Sequence, residues 1–128
     1  MRDIETEADV HALARAFYDG IEADPVLGRF FADVDMEAHV PRLVAFWHAV
    51  AFQSGAYRGR PFAPHARLAG LERAHFARWL DRFHRTVDAS FTGPRAELVK
   101  ARAAQVTGVW QVKLGLWTVA DDGPGHVL

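Results

Sequence analysis

The sequence predicts an all-α protein, and three observations support that prediction. In four segments, apolar residues recur three and four positions apart, which is the spacing of one buried helical face. Residues that stop helices stand between these segments, among them Asp24-Pro25 and Gly93-Pro94. No segment alternates apolar and polar residues over a useful strand length. We therefore expect four helices around one core.

The first helix should start at Thr6, because Asp9 stands three residues later and can complete a capping box. It should end at Asp24-Pro25, since proline biases the preceding residue away from helix. A short corner then leads to the next apolar pair. The predicted inward face comprises Val10, Leu13, Ala14, Phe17 and Ile21, with Tyr18 at its buried edge.

A second helix should begin between Asp35 and Pro41 and continue to about Ser54, with Gly55 as its stop. A proline is well tolerated only in the first turn of a helix, so this helix either begins near His39 or bends there. The predicted inward face comprises Val40, Leu43, Val44, Trp47, Val50 and Ala51.

The third and fourth helices should cover about residues 72–91 and 95–117. We expect residues 1–128 to form a single domain with a helical core of about 6–117 and a flexible tail of 118–128. The third helix turns Phe76, Trp79, Leu80, Phe83 and Val87 inward. The fourth turns Leu98, Val106, Val109, Trp110, Leu114 and Trp117 inward.

Composition excludes several classes of function. The 15 Lys and Arg nearly balance the 16 Asp and Glu, so no field of one sign favours nucleic acid or an anionic membrane. The sequence has no cysteine, which excludes disulfides and thiolate metal sites. It shows no apolar run of membrane-spanning length, so we expect a cytoplasmic protein. Seven histidines, nine Phe and four Trp suit either a planar, metal-containing ligand or an ordinary aromatic core.

One long interruption separates the second and third helices. Residues 57–68 are rich in Gly, Pro and Arg, and they carry His65 directly after Pro64. Because proline fixes its own φ and restricts the residue before it, this connection should be short and stiff. Such a segment is a suitable mount for a single histidine ligand.

Three predicted inward side chains can donate hydrogen bonds: Tyr18, His39 and Trp79, one from each of three helices. A buried polar group without a partner costs about 1–3 kcal/mol, so each side chain needs an acceptor. Either each finds a backbone carbonyl separately, or all three converge on a shared guest. The residue types alone leave both interpretations open.

Local motifs resemble the truncated haemoglobins of the third group. The resemblance covers about residues 10–91, with the motifs in the expected order and spacing, and the absence of any Gly-Gly pair agrees with that group. The motifs are Phe17-Tyr18, Asp24-Pro25-x-Leu27-Gly28-x-x-Phe31, His39 eight residues before Trp47 in the pair Phe46-Trp47, Gly55-x-Tyr57-x-Gly59-x-Pro61 with His65, and Phe76-x-x-Trp79-Leu80.

The resemblance implies a compressed globin of two helix pairs that cross over one another, with haem b as its cofactor. His65 corresponds to the proximal ligand of the haem iron. Tyr18 and Trp79 correspond to the residues that donate hydrogen bonds to the bound ligand, and His39 corresponds to the distal histidine. The implied ligands are O₂, NO and CO.

Further residues correspond to the walls of the haem site. Phe31 matches the phenylalanine that packs against the macrocycle, and Leu43 matches an apolar neighbour above it. Trp47, in the matched Phe46-Trp47 pair, is assigned to the same site. Arg58 and Arg60 either reach a haem propionate or remain surface arginines.

Two donors beside the bound ligand imply slow O₂ release, which suits redox chemistry of O₂, NO or peroxide better than transport. These 128 residues include no flavin or nicotinamide domain, so turnover would need a separate reductase as partner. Reversible O₂ storage or sensing without turnover is the alternative within the haem interpretation.

Two other classes of protein compete with a haem protein. The spacing Glu72-x-x-His75 occurs in carboxylate-bridged dimetal bundles, which also require a second such motif and two further inward glutamates. The other class is a haem-free helical sensor or interaction domain, in which the aromatic residues are only core. Of the remaining histidines, His75 is expected at the surface or at the edge of the site.

Overall fold

Four helices and one short 3-10 helix make up the fold. The structure is a computed structural model that describes residues 1–32, 34–54 and 71–113. The helices are α1 (Glu7–Ala23), α2 (Met36–Phe52), α3 (Arg73–Ser90) and α4 (Pro94–Lys113), with the 3-10 helix Gly28–Phe31 between α1 and α2. Within these ranges the only β-type pairing is one isolated bridge between Arg2 and Phe91. The all-α prediction is confirmed.

The helices contact one another as two pairs. α1 packs against α2, and α3 packs against α4; across the pairs, α1 contacts α3 and α2 contacts α4. This set of contacts is the one expected of two helix pairs stacked over each other, so the predicted two-over-two arrangement is confirmed. None of the helices in the described part of the chain combines the length and the apolar character needed to cross a membrane.

Both ends of α1 are fixed by carboxylates. At its start, the Thr6 hydroxyl accepts from the Asp9 backbone N–H at 3.2 Å, and the Asp9 carboxylate accepts from the Thr6 N–H at 3.1 Å. This is the predicted capping box. At its end, the Asp24 carboxylate accepts from the backbone N–H groups of Val26 and Leu27 at 2.7 and 2.9 Å. These bonds turn the chain into the 3-10 helix.

α2 begins before its proline rather than at it. The His39 backbone N–H donates to the Asp35 carbonyl at 2.9 Å, so His39 is already helical. Pro41 lies inside the helix, where its missing N–H leaves the Glu37 carbonyl without an intrahelical donor. Glu37 is exposed, and water can satisfy that carbonyl. Proline therefore does not displace His39 from the inward face.

The end of α2 differs from the prediction. The helix stops at Phe52, because Gln53 adopts the left-handed conformation with φ 51° and its N–H closes the last turn on Ala49 and Val50. The sequence assigned this role to Gly55, since glycine is the usual residue at such positions. Gly55 itself lies outside the described residues.

The inward faces of α1, α2 and α3 agree with the predicted ones, apart from Val50 and Leu80, which are only half-buried. For α4 the prediction was partly wrong, because Leu98 and Val109 are also half-buried. Small residues face the core instead, since they let α4 approach its neighbours closely. Its buried face consists of Ala96, Val99, Ala103, Val106, Thr107 and Trp110. The predicted Leu114 and Trp117 and the predicted tail lie outside the described residues.

Candidate functional site

The three hydrogen-bonding residues predicted to face inward are all buried. Tyr18 exposes 1%, Trp79 4% and His39 9% of its surface. The rings of Tyr18 and His39 meet edge to face, with centroids 5.6 Å apart. Phe17 lies between Tyr18 and Trp79, with centroid distances of 4.7 and 5.0 Å. The structure thus brings α1, α2 and α3 together at one aromatic cluster.

Consecutive residues of α1 divide the contacts of this cluster. Phe17 faces α3, where its ring meets Trp79 and also Phe83 at 5.1 Å. Tyr18 turns away from α3, toward Phe31 at 6.4 Å and His39 on α2. This division follows from the helix itself, because neighbouring residues point about 100° apart around its axis. Sequence analysis assigned no site role to Phe17, although it joins the two halves of the cluster.

Burial fixes the protonation states of the two titratable members. Burial raises the pKa of the Tyr18 hydroxyl well above its ordinary value, so Tyr18 keeps its proton and can donate it in a hydrogen bond. Burial also lowers the pKa of His39, and the positive charge of Arg42 lowers it further. His39 is therefore a neutral imidazole at pH 7.

The indole groups of Trp47 and Trp79 have no acceptor among the described residues. The Nε1–H groups of Trp47 and Trp79 are buried and make no hydrogen bond within the described ranges. An unsatisfied buried donor costs about 1–3 kcal/mol, so such groups are uncommon in an ordinary core. Trp79 stacks on Phe83 with an interplanar angle of 7°, and Trp47 packs on the same ring at a centroid distance of 4.6 Å.

A small apolar cavity of about 20 Å³ lies on the other side of Trp79. The predicted wall residue Phe31 and the tryptophan of α4, Trp110, also line it. The other predicted wall residue, Leu43, is buried one turn after His39 on α2. The remaining lining residues are Leu27, Phe30, Leu71, His75 and Phe76.

His75 belongs to the cavity rather than to the surface. It is half-buried, its ring meets Phe30 at a centroid distance of 4.9 Å, and its Nδ1 accepts from the Glu72 backbone N–H at 2.9 Å. The surface position that the sequence favoured is wrong, and the alternative edge position fits better. The Glu72–His75 spacing, which suggested a dimetal site, closes the first turn of α3 instead.

The predicted iron ligand His65 lies outside the described residues, as do Arg58 and Arg60. Of the residues assigned to the haem site, the structure therefore places those on α1, the 3-10 helix, α2 and α3. Trp110 was not assigned to it from the sequence, and His75 was expected at the surface or at its edge. Helical spacing predicted that Trp110 faces inward. Only the packing of α3 on α4 brings its ring centroid to 5.6 Å from that of Trp79.

Comparison with known proteins gives the same fold. A sequence profile of the bacterial-like globin family matches residues 3–109. Among solved structures, the chain is similar to the group III truncated hemoglobin from Campylobacter jejuni, with a TM-score of 0.76 and 21% identity. The alignment covers 89% of this chain and 95% of that one. No curated protein matches the sequence.

At this level of identity the structural likeness establishes the fold, whereas the sequence profile covers most of the chain and establishes the family. Globins bind small ligands at haem, and the buried aromatic cluster with its hydrogen-bond donors occupies the matched region. The chain belongs to the bacterial-like globin family.

Proposed function

We propose that this chain binds haem b through His65 and uses Tyr18, Trp79 and His39 to hold a diatomic ligand such as O₂, NO or CO. The observation that carries the proposal is the convergence of these three side chains at one buried cluster. The buried indole N–H of Trp79, which has no acceptor in the described part of the chain, supports it further.

The described residues fit a planar apolar group with one polar face. Phe31 and Trp79 are flat walls of the apolar cavity, and Leu43 is buried on the same face of α2 as His39. Cofactor pockets have volumes of about 300–1,000 Å³, so a cavity of about 20 Å³ is only the inner part of such a site. We propose that His65 completes the site as the ligand of the haem iron.

Haem, when bound, supplies an iron atom with an open position for a diatomic ligand. The chain's own groups act on that ligand. Tyr18 keeps its proton because burial raises its pKa, so its hydroxyl is a permanent donor. The Trp79 indole cannot lose its proton, and it is the second donor. His39 is neutral, since burial lowers its pKa, and it brings no charge into the pocket.

His65 is proposed as the ligand because of the family resemblance of residues 55–65 and the stiffness that Pro64 gives the chain before it. A metal-bound imidazole needs a fixed position and an acceptor for its second N–H. The described histidines are less suitable. His39 packs against Tyr18, and His75 already uses Nδ1 at the start of α3.

Redox chemistry of O₂, NO or peroxide is the activity that two donors favour. Donors that bind the ligand tightly slow its release and prolong the time in which it can react. The described residues form helices without the parallel sheet on which nicotinamide cofactors bind, so we propose that a separate reductase supplies electrons.

The haem ligand can be tested by substitution. His65→Ala should abolish stoichiometric haem binding in a spectroscopic titration, while circular dichroism keeps its helical signal. His11→Ala is the matched control, because His11 is exposed on α1 and its loss should leave haem binding unchanged. If His65→Ala retains five-coordinate ferrous haem, another histidine is the ligand, with His39 or His75 the first to examine.

One observation favours a second candidate function, a haem-free helical sensor or interaction domain. The aromatic rings of the cluster already contact one another, as the core of such a domain would. Expression in cells supplied with haem separates the two functions. Coloured protein with a Soret band and one haem per chain supports the globin function, whereas colourless folded protein selects the haem-free one.

A further inference from the structure

A groove on the outer side of α3 carries three arginines. It has a volume of about 560 Å³ and runs beside α1, which contributes the small residue Ala16 to its lining. Arg78, Arg82 and Arg85 follow one another at helical spacing along the groove. It lies apart from the aromatic cluster, and the ligand site described above does not use it.

The guanidinium groups of Arg78 and Arg82 are held in place by one buried carboxylate. The Asp24 carboxylate is fully buried, and the Nε–H of Arg78 donates to both of its oxygens at 3.0 and 2.9 Å. The Nε–H of Arg82 donates to the same carboxylate. Because these contacts use only Nε, the terminal amino groups of both arginines make no hydrogen bond within the described part of the chain.

The third arginine lies nearer the end of α3 and pairs with an exposed carboxylate. The Nε of Arg85 lies 3.0 Å from a carboxylate oxygen of Asp81, and the Arg85 side chain is 80% exposed. The groove therefore presents three guanidinium groups, of which Arg78 and Arg82 are fixed by the buried Asp24. Fixed guanidinium groups bind phosphate with parallel N–H donors and lose little side-chain entropy in doing so.

Gly20 follows the lining residue Ala16 by one turn of α1 and leaves space beside Arg82. Gly20 faces Arg82, and a methyl group at Gly20 would lie 3.7 Å from the Nη1 atom of Arg82. A larger residue at position 20 would extend into the space in front of that amino group. Gly20 has ordinary helical geometry inside α1, so no turn or strained backbone requires a glycine there.

The charge and shape of the groove favour a small anion over a protein. The groove has three guanidinium groups and two carboxylates, those of Asp24 and Asp81, so its local charge is positive. The whole chain carries a formal charge of −1. The fully buried centre of a stable protein interface is largely apolar. In the described residues the exposed large hydrophobic side chains are Met1 and Val26, and neither lines the groove.

We propose that this groove binds a phosphate group, either as inorganic phosphate or as part of a phosphorylated small molecule. The terminal amino groups of Arg78 and Arg82 bind the phosphate oxygens, and Arg85 closes the site toward the end of α3. Asp24 positions the first two arginines and does not contact the anion.

The test is a calorimetric titration of inorganic phosphate into the haem-loaded full chain at constant ionic strength. One saturable site per chain is expected. Gly20→Glu should weaken binding about tenfold or more, because its carboxylate would compete for the guanidinium groups that charged hydrogen bonds make strong. Gly20→Ala is the matched control and should bind phosphate as the parent does. Arg85→Gln should weaken binding without disturbing Asp24.

A second titration with a phosphate monoester, ribose 5-phosphate, identifies the source of the group. Tighter binding than inorganic phosphate assigns the groove to a phosphorylated metabolite, and equal binding assigns it to the phosphate group alone. Absence of saturable binding of either compound, or equal binding by the parent, Gly20→Glu and Arg85→Gln, overturns the proposal. These outcomes do not depend on which residue ligates haem.

Discussion

A single tryptophan shows most clearly how this cluster differs from an ordinary core. Trp79 stacks on Phe83 and meets Phe17 and Trp110 edge to face, contacts that a phenylalanine could also make. What phenylalanine lacks is the indole N–H, which is buried here without an acceptor in the described ranges. An unsatisfied donor costs about 1–3 kcal/mol, and the proposed ligand would supply the missing acceptor.

The donors can be tested through the rate of O₂ release. We expect Tyr18→Phe and Trp79→Phe each to speed release about 5- to 150-fold, because each removes a hydrogen bond worth about 1–3 kcal/mol that forms only with the ligand. Stopped-flow displacement of O₂ by CO measures the rate. Phe17→Leu is the control, since it alters packing between the two residues and removes no donor. Equal rates in the parent and both donor variants would exclude a role for them.

The burial of Tyr18, His39 and Trp79 could be predicted because helical spacing determines which side of a helix a residue faces. Their mutual approach could not, since it depends on how α1, α2 and α3 cross. For His75, the sequence left both the surface and the edge of the site open and favoured the surface. The side chain of a residue at the start of a helix can cap the backbone, and this contact turns His75 toward the cavity.

At the scale of helices, Asp24 couples the end of α1 to α3. Its neighbour Pro25 marked the end of α1 in the sequence. Its partners Arg78 and Arg82 are 54 and 58 residues further along the chain, so no local pattern could indicate them. Burial alone would raise the pKa of Asp24, but hydrogen bonds from Leu27, the two arginines and Val26 outweigh burial and hold the pKa below its ordinary value.

We expect Asp24→Asn to lower the free energy of unfolding by about 1–3 kcal/mol at pH 7, the usual cost of losing charged hydrogen bonds. A lowered pKa in the folded state means that this contribution is complete above the ordinary Asp pKa of about 3.9 and is lost as the pH falls further. Urea unfolding of both proteins from pH 7 to pH 2 measures it.

The difference between the parent and Asp24→Asn should therefore shrink below about pH 4. Asp19→Asn is the matched control, because the Asp19 side chain is 63% exposed and lies 3.9 Å from Arg15. Its effect should be within about 0.5 kcal/mol. A difference for Asp24→Asn that grows as the pH falls would contradict this description of Asp24.

For α4, the apolar pattern of the sequence predicted the buried face only in part. The sequence identified Val106 and Trp110 as inward, and both are buried. It missed Ala96, Val99 and Ala103, which are completely buried. Alanine is the best helix former and is also used at exposed helix positions, so it marks the inward face only weakly. Which face of α4 turns inward is decided by its close approach to α2 and α3, and sequence periodicity does not contain that information.

At the scale of the whole molecule, the first residues of the chain join the core and contact the start of α4. Ile4 is completely buried, and the Asp3 carboxylate accepts from the backbone N–H groups of Arg95 and Ala96 at 3.0 and 2.9 Å. These bonds cap the start of α4 from a distance of more than 90 residues along the chain. Gly93, with φ +139°, lets the Asp3 side chain approach, since a Cβ there would lie 2.6 Å from the Asp3 carboxyl carbon.

Ile4→Ala should therefore destabilise the entire domain by about 2–5 kcal/mol, the usual cost of truncating a large side chain in a packed core. Urea unfolding followed by circular dichroism measures it, and a single transition is expected. Val26→Ala is the control, because Val26 is exposed and its truncation should change stability by no more than about 0.5 kcal/mol. An equally small effect of Ile4→Ala would show that the first residues are not part of the core.

The all-α class could be predicted because four amphipathic segments must bury their apolar faces against one another. The two-over-two arrangement was predicted from the family resemblance and not from the periodicity. For the candidate site, the burial of Tyr18, His39 and Trp79 could be predicted, but their mutual geometry could not. Its two halves lie on different parts of the chain. The donors are on α1, α2 and α3, whereas the proposed ligand His65 lies in residues 55–70, outside the described ranges.

The most direct test of a haem site shared between these two parts is the absorption spectrum of the reconstituted protein in its ferric, ferrous and CO-bound forms. We expect a Soret band that saturates at one haem per chain, a ferrous form with a single histidine ligand, and a complete shift on addition of CO. The absence of a Soret band in folded protein, or a ferrous spectrum that His65→Ala leaves unchanged, would contradict the central claim.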